Sequence, residues 1–238
     1  MKKFILNARH YFVLPALLAL TLTACGESEP ETSENTTPSA QETQSTEQVK
    51  PIETKAKTKA TNVSLSEQDL QRMIGDPNAP VTMIEYASYT CPHCADFHTK
   101  VLPQIKKEFV DTGKVKVIFR DFPFERVGAT AALLSTCVDP SRYHGFNDLL
   151  MKQQSQWAAS PNPVGSLLKL AKLAGLSQEK IDSCLANEKL LDEIVAVRKE
   201  AMDKHGFNST PSFLINDEKV VGSGEYERFK SIIESKLD

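Results

Sequence analysis

The chain has 238 residues, with 31 acidic and 28 basic side chains and a formal charge of −3. That length accommodates one domain or two, and the acidic balance argues against a nucleic-acid partner, which would select a basic surface. Five cysteines are present, and their spacing carries most of the chemical information.

At the start, Lys2, Lys3 and Arg9 accompany a largely apolar run from Tyr11 to Leu22. The run is too short to span a bilayer comfortably and reads as the core of an export signal over residues 1–24. Leu22-Thr23-Ala24-Cys25 resembles the bacterial lipobox. That resemblance implies cleavage before Cys25 and acylation of Cys25; the plain alternative is an ordinary signal peptide with a chance cysteine. Losing residues 1–24 removes three basic groups and no acidic one, which takes the charge to −6. Residues 25–62 are rich in Glu, Ser, Thr, Gln, Asn and Pro, with no aromatic side chain. Such a stretch buries too little apolar surface to offset its ordering entropy and is expected to be a disordered tether. Its random-coil span is roughly 35 Å, enough to hold a folded part off a membrane. Lys50, Lys55, Lys57 and Lys59 read as a solvated charge run.

The folded part is expected over 63–238. Ser66 to Met73 suits a short helix with Ser66 as N-cap. Gly75 to Pro80 is a turn cluster, and Val81 to Ala87 an apolar run expected to be a buried strand. A helix follows to Val110, with Pro92 in its first turn and Pro103 expected to kink or interrupt it. Lys114 to Arg120 alternates as a second strand. From about 124 to 205 the spacing is helical throughout: Ala129–Cys137, Tyr143–Trp157, Val164–Leu173, Gln178–Ala186 and Leu190–His205. Strands return at Ser212–Ile215 and Lys219–Val221 around an Asn216-Asp217-Glu218 turn, and Tyr226–Leu237 closes as an amphipathic helix. The first strand, helix and second strand form a βαβ unit, which should be parallel and right-handed, with the helical block as an insertion.

Cys91-Pro92-His93-Cys94 stands where the first strand gives way to its helix. Two thiols at that spacing can close a small disulfide. The first lies where the helix dipole and free backbone N–H groups favour a thiolate. The residues themselves therefore point to thiol–disulfide exchange. A zinc site is disfavoured because the other cysteines are far apart, and haem attachment because residue 95 is Ala, not His. No metal or cofactor is expected. Cys137 and Cys184 remain as an even pair that suggests a structural disulfide in an exported protein, against the alternative of two buried thiols.

The Cys-Pro-His-Cys motif, the helical insertion and the later Thr210-Pro211 before a hairpin together resemble the DsbA-like thiol–disulfide oxidoreductases. Gly75-Asp76-Pro77-Asn78-Ala79-Pro80 strengthens the likeness, whereas Ser209 and Ser212 depart from the usual Gly-Thr-Pro-Thr. The resemblance implies an α/β fold of the thioredoxin type with an inserted all-helical subdomain. It also implies roles: Cys91 as the attacking and attacked sulfur, Cys94 as a buried resolving thiol, and His93 as a tuner of the thiolate. Glu85 becomes a buried acid that relays the Cys94 proton through water. Thr210-Pro211 becomes a cis bond presenting Thr210 to the sulfur and to an extended client. His98 reads as packing or surface, and Trp157, Phe122, Phe124 and Phe207 as either core or lining of a client groove.

The expected activity is oxidation of exported proteins with reduced cysteines. The enzyme would be monomeric, lipid-anchored on the periplasmic side of the cell envelope, and reset by a DsbB-type membrane quinone reductase or another oxidant. Reductase or isomerase activity is the enzymatic alternative. A binding or chaperone module with a structural cysteine pair is the non-enzymatic one.

Overall fold

The computed structural model describes residues 66–237; the export signal, Cys25 and the tether expected from the sequence lie outside the described residues. Helix α1, Glu67–Gln71, is opened by a reciprocal cap in which the Ser66 hydroxyl and the Asp69 carboxylate each take the other's backbone N–H. The sequence carries the helix on to Met73, but it stops at Gln71. Met73–Ile74 instead forms strand β1. Two residues have no readable periodicity; pairing with β3 (Val115–Asp121) is what makes them a strand.

Strand β2, Val81–Ala87, lies parallel to β3, with Glu85 beside Phe119. Strands β4, Ser212–Ile215, and β5, Glu218–Val221, extend the sheet antiparallel in the order β1-β3-β2-β4-β5. Both faces of β2 are covered, which is why its sequence is apolar almost throughout. Alternation sends Ile84 and Tyr86 to the face packed by Ala201 and Phe207. Val81 and Met83 go to the opposite face, with Phe97, Ile105, Phe213 and Phe229. Glu85 has the same parity as Val81 and Met83, so a carboxylate is delivered into that second layer.

After β2 the chain forms one continuous helical run: α2 (Pro92–Asp96), a π-type turn (Phe97–Val101), α3 (Leu102–Ile105) and a second π-type turn (Lys106–Val110). Pro103 neither interrupts nor ends it. In the wide turn just before Pro103, the Leu102 N–H reaches the Phe97 carbonyl five residues back. The pairing is thereby shifted by one residue where the proline has no N–H to offer.

The inserted subdomain runs through α4 (Arg126–Cys137), α5 (Tyr143–Lys152), α6 (Gln154–Ala158), α7 (Pro163–Leu173), α8 (Gln178–Leu185) and α9 (Glu188–His205). A single helix was expected over Tyr143–Trp157, but it breaks at Gln153. The Trp157 indole reaches back over the break and donates to the Leu150 carbonyl at 2.8 Å. Helix α9 ends on Gly206, whose φ of 72° is the left-handed cap a β-carbon would disfavour. The final helix, α10 (Tyr226–Leu237), returns Phe229 and Ile233 to the second layer, beside Phe97 and Phe213. The architecture is a thioredoxin fold with an inserted all-helical subdomain.

Candidate active site

Cys91 is the N-cap of α2, in extended conformation (φ −81°, ψ 116°), and Pro92 takes the first helical position, where no N–H is required. The Cys91 side chain does not cap the helix, so its sulfur sits by the free N–H groups of the first turn. Both motif cysteines are thiols in this structure; Cys91 is half-buried and Cys94 fully buried.

Their environments push them apart. The Cys91 thiol is pulled from 9.0 down to about 5. The largest cause is the hydrogen bond from Cys94, against which partial burial works. The Thr210 side chain and the backbone N–H groups of Cys94 and His93 add to the pull. Cys94 is held well above its ordinary value, chiefly by burial, then by its bond to Cys91 and the nearby Glu85 charge.

Facing the motif, the Thr210-Pro211 bond is cis and Pro211 is buried. The Cys91 thiol donates to the Thr210 carbonyl at 3.2 Å. Among the described residues the Thr210 hydroxyl has no hydrogen-bond partner while Cys91 is protonated, and it can serve the sulfur once the thiol proton leaves. An open cleft beside Cys91 is lined by Thr90, Phe124, Glu125, Asn208, Ser209 and Thr210. Of the four aromatics weighed for such a groove, only Phe124, 44% exposed, lies there; Phe122, Trp157 and Phe207 are core. His93 is exposed, so its backbone N–H rather than a packed imidazole is what the fold brings to the sulfur.

Glu85 is fully buried behind the motif, and its Oε2 lies 3.0 Å from Nε2 of His98, which is 5% exposed. His98 had read as packing or surface. The available signal was its spacing: Cys94, Phe97, His98, Val101 and Leu102 form one helical stripe, so a histidine there must enter the core. Gln154 is a second residue the sequence did not mark. Buried at the start of α6, it donates to the Tyr89 carbonyl at 3.0 Å and the Cys91 carbonyl at 2.6 Å, joining the insertion to the motif loop. Glu125 accepts from Thr90 Oγ1 at 2.5 Å and caps α4 through the Gly128 N–H, fixing the loop from the other side. In the insertion, Cys137 and Cys184 are joined by a disulfide between α4 and α8. No cluster of possible metal ligands occurs among the described residues.

A parallel βαβ core, a dithiol at the start of its helix and a cis-proline loop against the first sulfur define a thioredoxin-fold dithiol protein. The thioredoxin family model matches residues 66–235. Disulfide bond formation protein D of Bacillus subtilis is 32% identical over 179 residues, covering 70% of this chain and 77% of that protein. The crystal structure of Wolbachia pipientis α-DsbA1 superposes with a TM-score of 0.64 at 35% identity, over 70% of this chain and 90% of its own. Oxidised BdbD of Bacillus subtilis gives 0.63 at 29% identity, over 70% and 92%. The chain belongs to the thioredoxin family and, within it, to the DsbA-like thiol–disulfide oxidoreductases. It spans 64% and 66% of the length of the curated relatives from Rickettsia bellii and Rickettsia felis.

Proposed function

We propose that the protein oxidises paired thiols in exported proteins through the Cys91–Cys94 pair. A client thiolate attacks Cys91 of the enzyme disulfide, Cys94 leaves and takes a proton, and a client–Cys91 mixed disulfide results. The second client thiolate then attacks the client sulfur of that bond, and Cys91 departs as a thiolate. Two electrons have passed to the enzyme, and a client disulfide remains.

The observation that carries this direction is the contrast between a Cys91 thiol pulled down to about 5 and a Cys94 thiol pushed up. A stabilised Cys91 thiolate favours the reduced enzyme and is a good leaving group, so the disulfide form gives itself away readily. The Thr210 backbone beside Cys91 is placed to pair with an extended client segment. A DsbB-type membrane quinone reductase, or another oxidant, would accept the electrons and restore the disulfide. The sequence around Cys25 supports a lipid anchor on the periplasmic side of the envelope.

Equilibrating the chain with glutathione buffers tests the direction. A potential more oxidising than about −200 mV is expected, whereas one near thioredoxin's roughly −270 mV would make it a reductase. The anchor has its own test: Cys25→Ser should move the protein from the membrane fraction to the soluble one, and unchanged membrane association would refute it.

A further inference from the structure

The pair formed by Glu85 and His98 lies inside the layer between the sheet and the α2–α3 helix, each partner nearly or wholly shielded from solvent. Two of its polar atoms, Glu85 Oε1 and His98 Nδ1, make no hydrogen bond among the described residues. A buried carboxylate and imidazole with a spare site at each end form a chain with two open ends. The Glu85 end is the one whose charge bears on the Cys94 thiol. The outer end belongs to a side chain that lines a cleft of about 600 Å³ between the α2–α3 helix and α5.

That cleft does not include Cys91 or the loop of Thr210, so it is separate from the face where a client would lie. Besides His98, its titratable lining is Lys106 from the second π-type turn and His144, Asp148 and Lys152 from α5. Buried Tyr143, also on α5, feels the Glu85 charge. From β3 the neighbour is Phe119, whose ring lies 5.3 Å from the imidazole. On the β3 side, therefore, an aromatic ring and not a second charge accompanies Glu85.

We propose that His98 is a positioning residue for Glu85 and the outer half of a proton path from Cys94 to this rear cleft. The inference rests on the dithiol chemistry proposed above. In resolution of a mixed disulfide, the Cys94 S–H bond breaks, the Cys94–Cys91 S–S bond forms and the client sulfur leaves as a thiolate. The Cys94 proton goes to Glu85, which passes a proton to His98 Nε2. The imidazolium then releases its Nδ1 proton toward the cleft. When a client attacks the enzyme disulfide the sequence reverses and Cys94 is reprotonated. The proton thus travels at the back of the site while the client occupies the front.

The test uses the full chain carrying a glutathione mixed disulfide at Cys91 and follows glutathione release from pH 5 to pH 9. His98→Gln, which retains a donor for Glu85 but cannot ionise, should slow release on the order of tenfold, a modest share of what proton transfer contributes in enzymes. Its pH profile should differ from the parent's, while Cys91 ionisation stays unchanged. In His98→Ala, added imidazole should restore the rate through the cleft. Release by His98→Gln with the rate and pH profile of the parent would overturn the proposal. So would slow release that imidazole does not rescue in His98→Ala, which would leave His98 a packing residue. Glu85→Gln separates the levels. If it is slow while His98→Gln is normal, only the role of His98 fails; if both are normal, the relay through Glu85 fails as well. If the parent itself releases no glutathione, the dithiol chemistry fails.

Discussion

Cys91 and Cys94 carry the same functional group three residues apart, and the fold makes one an anion and the other a protected thiol. Cys91 sits at the helix start among donors, and Cys94 one turn on, sealed beneath it. The consequence for stability has a definite sign. With a folded value of about 5 against 9.0 for the unfolded thiol, ionisation of Cys91 stabilises the reduced chain fully above pH 9. That contribution declines as pH falls and is gone below about 5. Urea unfolding of the reduced chain should therefore show an advantage over Cys91→Ser that shrinks steadily from pH 9 to pH 5. A constant difference across that range would mean the thiolate is not what separates them. Glu85 and His98 make the same point about burial. Both are polar side chains on apolar stripes, and each is tolerated because the other is there.

At the scale of elements, the motif loop is fixed by side chains arriving from far along the sequence. Gln154 is the clearest case: its amide satisfies two carbonyls of the motif loop from the inserted subdomain. Gln154→Leu would leave those acceptors without a partner in a buried place, at a cost of about 1–3 kcal/mol each at most. A lowered urea midpoint together with a faster-exchanging Cys94 amide would show that the insertion braces the loop; an unchanged midpoint would show that it does not. The long helix after the motif illustrates the limit of rules applied one residue at a time. Pro103 is expected to kink or interrupt it; a wide turn placed just ahead absorbs the missing donor, and the helix continues to Val110.

At the largest scale, one sheet organises the described residues. Helix α9 covers one face, while α2, α3 and α10 cover the other. The insertion closes over the motif without interrupting the βαβ core. The Cys137–Cys184 disulfide staples two insertion helices across 47 residues. By loop-closure entropy it stabilises the fold by up to about 4 kcal/mol. Cys137→Ala combined with Cys184→Ala should lower the unfolding midpoint while leaving the Cys91 titration unchanged. A shift in that titration would show that the insertion sets the thiol chemistry as well as bracing it.

The order of the main strands and helices, the βαβ core and the reactive motif were legible from residues alone, and the resemblance to a known family added that this core is of the thioredoxin type. They depend on local features: a period of two or 3.6, a capping serine, a proline at a first turn, two cysteines at fixed spacing. Strand β1, the break at Gln153, the pairing of His98 with Glu85 and the reach of Gln154 were not. Each depends on which residues distant in sequence become neighbours. The sequence could place Glu85 on a strand and His98 on a helix, but only the packing of that helix on that sheet set them 3.0 Å apart and away from water.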